Sequence, residues 1–326
     1  MSRWKILNGY PEEHYRSLLS DWESKGEVRT ILPEERNLFP ELIQDCDIYL
    51  AAMGIPFSEE LVEHAPRLKL VATPTTGTDH LPITALERQK IAWYCLRQSP
   101  EFLRGITSTA EHCWGLLLAS IRHIVPAFRD VCAGGWHRER FTGNQMKGRT
   151  LGVVGYGRLG QMVAHYGLAF GMRVLATDVR AGIKFEAGVE SCTLEELLSQ
   201  ADVVSVHIHL DEANRHFFDE ARFRQMKKGA VFLNTSRGGI VREDALLDAL
   251  ESGRLSAAAL DVLENEWGDL QANPLIRYAR SHDNLLITPH CGGASVDAQQ
   301  LTFQEMLRNV EAFMQRANQK ETKRPC

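Results

Sequence analysis

Leu151-Gly152-Val153-Val154-Gly155-Tyr156-Gly157-Arg158-Leu159-Gly160 is the stretch that decides the fold. An apolar strand, read as residues 150–154, runs into a turn with glycine at its first, third and sixth positions. A helix read as residues 158–170 follows, then a strand over 173–177. A lone glycine pattern says little, but between a strand and a helix it has the context of a dinucleotide site. Gly155 permits the tight turn, Gly157 lets the backbone approach a pyrophosphate, and Gly160 allows close helix–strand packing. The phosphates would meet the free amides and positive dipole end at Arg158 and Leu159. Asp178 closes the next strand about twenty residues on, where a carboxylate accepts from ribose hydroxyls and repels a 2′-phosphate. NAD is therefore expected over NADP, with Arg180 pulling the other way.

Outward from this turn, strands are expected at residues 203–208, 230–234, 257–262 and 285–288, and helices at 194–199, 220–226 and 242–251. Thr193-Leu194-Glu195-Glu196 has the form of a capping box. The first hundred residues alternate in the same way. Strands are read at 5–7, 28–32, 47–51, 68–72 and 91–96, and helices at 58–64 and 83–89, the latter with Pro82 at a first-turn position. Such alternation implies α/β architecture with parallel sheets covered by helices on both faces, and five early units suit a flavodoxin-like domain. A connection at 99–105, a long helix at 107–123 and a turn ending at Gly134-Gly135 separate the two series, and an amphipathic tail helix runs from Ala298 to about Arg316.

The chain's 326 residues leave room for two domains. A net charge of −5 gives no general attraction to nucleic acid or acidic membranes. The start, Met1 to Leu7, is too short an apolar run for a signal peptide, and the apolar run near Trp114 is too short to span a bilayer. A cytoplasmic location is expected. Cys46, Cys95, Cys113, Cys132, Cys192, Cys291 and Cys326 are odd in number and lack CxxC spacing, which reads as free thiols with neither a disulfide framework nor a metal site.

Three side chains at successive strand ends suggest chemistry. Arg237, in Asn234-Thr235-Ser236-Arg237-Gly238-Gly239, could hold a carboxylate with its guanidinium fork. His290, after Thr288-Pro289, is a natural proton carrier. Glu266 would orient that ring and stabilise its cation if the two meet. His207 and His209 alternate along one expected strand, a spacing metals can use, but without a third ligand a cofactor-lining role for His207 is favoured. Cys291 reads as a bystander. Met53-Gly54 and Thr75-Thr76-Gly77-Thr78 end strands of the first series, where free amides could face a substrate.

At this point the chain resembles the D-isomer-specific 2-hydroxyacid dehydrogenase family over almost its whole length. The landmarks are Thr76-Gly77-Thr78-Asp79-His80-Leu81, Thr109-Ala110-Glu111-His112, the glycine-rich turn, Met226 through Gly239, Leu260-Asp261-Val262, and Thr288-Pro289-His290-Cys291-Gly292-Gly293. The resemblance implies Arg237, Glu266 and His290 as catalytic residues. It assigns Asp261 to the nicotinamide carboxamide and Thr235 and Ser236 to the nicotinamide ribose. Gly292 and Gly293 fall at the same cofactor site, and Met53, Gly54, Thr76 and Gly77 at the substrate. It also implies two doubly wound parallel-sheet domains, a Rossmann cofactor domain (104–290) inserted into a flavodoxin-like substrate domain (1–103 and 291–326). A homodimer through the cofactor domains, involving the helix at 107–123, is the expected assembly.

Three departures stand out: Trp267 and His209 where the family has proline, and a 51–55 loop without the arginine of phosphoglycerate-type members. With no regulatory domain expected after Cys326, phosphoglycerate is disfavoured as substrate. The leading expectation is NAD-dependent hydride transfer on a D-2-hydroxy acid and its 2-oxo acid. A same-fold dehydrogenase of phosphite or formate and a non-catalytic NAD-sensing protein are the alternatives.

Overall fold

Apolar side chains that alternate along short strands build two all-parallel sheets in a computed structural model that describes residues 3–322. Met1, Ser2 and the expected thiol of Cys326 lie outside the described residues. The chain divides into two compact units: one runs up to Ile106 and resumes at Val296, and the other spans Thr107–Ser295.

In the first unit β1 (Trp4–Asn8), β2 (Gly26–Thr30), β3 (Ile48–Leu50), β4 (Leu70–Ala72) and β5 (Ala92–Tyr94) lie in the order β2-β1-β3-β4-β5. This is the flavodoxin-like order. Successive residues serve opposite faces. Ile6, Ile48, Leu50, Leu70 and Ala72 pack with Phe303, Met306, Leu307 and Val310 of the terminal helix Val296–Thr322. Leu7, Tyr49 and Val71 pack on the other side with Phe39, Ile43, Ala85 and Leu86. The chain's end therefore belongs with its beginning because it covers one face of that sheet. Phe303 is fully buried there, and its truncation to alanine would cost about 3–5 kcal/mol.

The second unit holds β6 (Thr150–Val154), β7 (Arg173–Thr177), β8 (Val189–Ser191), β9 (Val203–Val206), β10 (Ala230–Asn234), β11 (Leu255–Leu260) and β12 (Leu285–Ile287). Their order, β12-β11-β10-β9-β6-β7-β8, is a Rossmann sheet with one further strand. Leu151, Val153, Val203, Leu233 and Ala259 meet the helix Ser108–Ile121 on one face, and Val204, Val206, Phe232 and Leu260 meet Leu197, Phe223 and Leu246 on the other. Gly152 is needed because a Cβ there would lie 2.4 Å from Leu197 Cδ2.

Several boundaries differ from expectation. The strand at β9 stops at Val206, so His207 and His209 lie beyond it instead of alternating within it. The long helix ends at Ile121, and His123, with φ +53, opens a separate helix Ile124–Cys132 that the sequence reading missed. Edge strand β8 and the helix Pro274–Ala279 were also missed. Pro82 caps its helix from outside the first turn. The capping box is present in full: Thr193 Oγ1 accepts from Glu196 N at 3.2 Å while Glu196 Oε2 accepts from Thr193 N at 2.9 Å. Among the described residues, no helix is long and apolar enough to cross a membrane.

Candidate active site

The glycine-rich turn joins β6 to the helix Arg158–Ala169. Gly155 has φ +92, and a Cβ there would lie 2.5 Å from the His207 carbonyl oxygen. At Gly160 a Cβ would stand 2.0 Å from the Gly155 carbonyl oxygen. Gly157 is different. Its nearest neighbour would be Arg180 Nη2 at 3.9 Å, so the space beside it is open. Bare backbone facing open space at a helix N-terminus is what dinucleotide phosphates require.

Asp178 follows β7, with Oδ2 accepting from Tyr156 N at 2.8 Å. Arg180 clamps the same carboxylate. Its Nε donates to Oδ1 at 3.0 Å, its Nη2 to Oδ2 at 2.9 Å, and its backbone N to Oδ1 at 3.0 Å. This fork, ahead of the two backbone donors, holds the Asp178 carboxyl below the usual carboxylate range. The carboxylate is nearly covered, while the Arg180 side chain is 60% exposed.

Just past β9, His207 Nε2 meets Ser205 Oγ at 2.8 Å, and Ser205 Oγ meets Cys113 Sγ at 3.3 Å. Burial pushes the His207 imidazole down to about 4, so the ring is neutral at pH 7. Its Nδ1 is buried without a hydrogen-bond partner, and so is Thr235 Oγ1. Orphaned polar atoms of this kind call for a partner. Together with the open space at Gly157 they fit a polar dinucleotide along the carboxyl ends of the strands.

At the end of β10, buried Asn234 shapes the turn that presents Arg237. Its Oδ1 accepts from Ser236 N at 3.0 Å and its Nδ2 donates to the Arg237 carbonyl at 2.9 Å. Ser236 Oγ donates to the Val206 carbonyl at 2.7 Å, and Arg237 Nη1 to the Ser236 carbonyl at 2.8 Å. The next residue ties this turn to the Glu266 loop, because a Cβ on Gly238 would lie 1.9 Å from the Leu263 carbonyl carbon.

Glu266 Oε1 meets His290 Nδ1 at 2.6 Å, each side chain about a fifth exposed, at 23% and 21%. A ring whose Nδ1–H is held by a carboxylate presents Nε2 outward. His290 has φ +53, a left-handed conformation uncommon for a side chain other than glycine. Asp261 secures it. The Asp261 carbonyl accepts from His290 N at 2.8 Å, its Oδ1 from Cys291 N at 2.9 Å, and its Oδ2 from Gly292 N at 2.8 Å. Thr288 Oγ1 adds a 2.6 Å bond to Oδ1, and the whole Asp261 residue is 2% exposed. Such an outlier persists where surrounding contacts over-determine it.

Arg237, Glu266, His290, Asp261, Thr235, Ser236 and the glycines therefore share one edge of the seven-stranded sheet, at the carboxyl ends of its strands. Gly293 follows Gly292 in the same turn. Met53-Gly54 and Thr76-Gly77 follow β3 and β4 of the other sheet, and Thr75 Oγ1 donates to the Gly77 carbonyl at 2.7 Å. The sequence reading missed the support from His112, whose Nε2 stands 2.9 Å from Thr288 Oγ1 and 3.3 Å from Asp261 Oδ1. Its only signal was its place in Thr109-Ala110-Glu111-His112.

Residues 114–292 match the family model of the D-isomer specific 2-hydroxyacid dehydrogenase NAD binding domain. The chain is 33% identical to a glyoxylate reductase of Korarchaeum cryptofilum, over 93% of this chain and 87% of that protein. It is 31% identical to a hydroxypyruvate reductase of Thermotoga maritima, over 85% and 87%. Its fold matches a D-lactate dehydrogenase of Aquifex aeolicus, solved with NAD and lactic acid, with TM-score 0.82 and 27% identity over 95% of each chain.

Proposed function

This chain belongs to the D-isomer specific 2-hydroxyacid dehydrogenase family, and we propose that within it the protein reduces a small 2-oxo acid using His290 as proton donor. Membership makes it an NAD-dependent oxidoreductase acting on a D-2-hydroxy acid and 2-oxo acid pair. The observation that carries the residue assignment is the 2.6 Å Glu266–His290 contact at a strand end.

NAD(H), when bound, supplies or accepts the hydride. Gly155, Gly157 and Gly160, with Arg158 and Leu159, would cradle its pyrophosphate, Asp178 its adenosine ribose, and His207, Thr235, Ser236, Asp261, Gly292 and Gly293 its nicotinamide end. Arg237 binds the substrate carboxylate through its two-pronged fork and so fixes which carbon faces the hydride. His290 donates the Nε2 proton to the carbonyl oxygen during reduction and takes it back during oxidation. Glu266, bonded to Nδ1, keeps the ring in the productive orientation, with Nε2 turned outward. Met53, Gly54, Thr76 and Gly77, at strand carboxyl ends within their own unit, are assigned to the substrate from the resemblance.

The domain roles follow the same reading: the seven-stranded unit holds the cofactor and the five-stranded unit serves the substrate. We assign a homodimer through the cofactor unit. Ile124, Phe128 and Val131, at i, i+4 and i+7 of the helix Ile124–Cys132 and 53, 67 and 50% exposed, give an apolar stripe that such an interface would cover. A cytoplasmic location completes the reading.

NADH oxidation over 2-oxo acids graded in size and charge tests the function. Turnover is expected with glyoxylate or hydroxypyruvate, the substrates in the names of the relatives above. Turnover with neither, nor with any larger 2-oxo acid, would defeat it.

A further inference from the structure

Among the described residues, His112, Asp261 and Cys291 bring a nitrogen, an oxygen and a sulfur ligand atom within 4.8 Å of one another. From this cluster we propose that the protein binds one divalent zinc-like cation at His112 Nε2, Asp261 Oδ1 and Cys291 Sγ, and that the ion inhibits the enzyme by excluding the cofactor. No spacing rule reveals the cluster, because the three residues come from the helix Ser108–Ile121, the end of β11 and the end of β12.

The separations suit a tetrahedral ion. Zinc–nitrogen and zinc–oxygen bonds near 2.1 Å and a zinc–sulfur bond near 2.3 Å imply edges of about 3.4 Å between nitrogen and oxygen and about 3.6 Å between nitrogen and sulfur. The structure has His112 Nε2 3.3 Å from Asp261 Oδ1 and 3.9 Å from Cys291 Sγ. The sulfur also lies within 4.8 Å of an Asp261 carboxylate oxygen, so a rotation of the Cys291 side chain toward the carboxylate closes the set. An N, O, S donor set favours zinc over magnesium or calcium, which prefer oxygen alone. Three protein ligands leave the fourth position to water, the pattern of an open site.

Protons must move for the ion to enter. The Thr288 hydroxyl hydrogen points to Asp261 Oδ1, so the 2.9 Å contact from His112 Nε2 to Thr288 Oγ1 is an N–H donation by the ring. Metal binding requires the other tautomer, with the proton on Nδ1 and Nε2 offered to the ion. The Cys291 thiol, held above its ordinary value chiefly by burial and then by Asp261, loses its proton to solvent as the Zn–S bond forms. Binding therefore releases a proton and strengthens as pH rises. His112 is 25% exposed and Cys291 half-buried, so the ion can enter from solvent.

The metal site rests on geometry alone, whereas its competition with cofactor rests on placing Asp261 and Gly292 at the nicotinamide end. Titration of the whole protein with Co2+ separates the two. The expected result is one Co2+ per chain with a near-ultraviolet thiolate-to-cobalt band, displaced by Zn2+. Cys291→Ala should abolish the band, and His112→Gln should weaken Co2+ binding by about a hundredfold or more, since even supporting residues around metals cost 10–100-fold. With the wild-type protein, Zn2+ should raise the KM for NADH without changing kcat. Absence of the band, or a band retained in Cys291→Ala and so owed to another thiol, overturns the site. A Cys291-dependent band with inhibition that NADH does not relieve leaves the site standing but overturns cofactor exclusion.

Discussion

The two ends of the cofactor edge treat their polar groups in opposite ways. At the end we assign to adenosine, the Asp178 carboxylate accepts from Tyr156 N, Arg180 N and both prongs of the Arg180 guanidinium. At the other end, buried His207 Nδ1 and Thr235 Oγ1 have no hydrogen-bond partner. One end is satisfied by the protein itself and the other is left for a ligand to complete. A carboxylate left bare would be expensive to desolvate, so the chain supplies it with an exposed arginine. A neutral imidazole nitrogen tolerates an open valence at a cost of about 1–3 kcal/mol.

The glycine turn between these ends gives the largest contrast. Gly160→Ala places a methyl against backbone that cannot yield, and should destabilise the protein by about 3 kcal/mol or more. Gly157→Ala meets only Arg180 Nη2 at 3.9 Å and should leave thermal stability unchanged while weakening NADH binding. Thermal melts alongside NADH titrations check the pair. Equal melting temperatures for the two variants would show that Gly160 is not a packing glycine.

The unfilled end carries a pH signature. His207 falls from an ordinary 6.5 to about 4 in the folded protein, so between those values the unfolded chain binds the proton and the folded chain does not. Its effect on stability is therefore nil above pH 6.5 and grows unfavourable as pH falls toward 4, by at most about 3 kcal/mol. Denaturant melts of His207→Gln should show a shallower loss of stability over that window than wild type. Parallel curves would mean that the ring takes its proton in the native state, and the unfilled end would lose its distinguishing feature.

The smallest effect belongs to the paired end. Asp178→Ala removes the group that repels a 2′-phosphate and frees Arg180 to meet one, so the ratio of kcat/KM for NADH over NADPH should narrow, by about tenfold or less. An unchanged ratio would mean that the Asp178–Arg180 pair plays no part in cofactor choice.

What was legible in the sequence follows the same division between local and distant contacts. The glycine turn, the Thr193–Glu196 box and the strand–helix alternation are local patterns, and they led to both sheets. Edge strand β8 escaped because Val189-Glu190-Ser191 is short and mostly polar. The helix Ile124–Cys132 escaped because its apolar residues face outward and Pro126 sits in its first turn. Glu266 could be nominated as a partner for His290, but its loop is placed by contacts distant in the chain: the packing of Gly238 on the Leu263 backbone and the bond from Glu264 N to Glu243 Oε1. The three backbone donors on Asp261 and the approach of His112 to Thr288 join elements far apart in the chain, which no periodicity reports.

The central claim is that His290, oriented by Glu266, delivers the proton that reduction consumes. The measurement that tests it most directly is the single-turnover rate of NADH oxidation by His290→Asn on the best 2-oxo acid, with NADH affinity determined on the same protein. The account predicts a rate lower by about a hundredfold or more, the usual scale for a lost general acid, with NADH affinity within a few-fold of wild type. A single-turnover rate near that of wild type would contradict it.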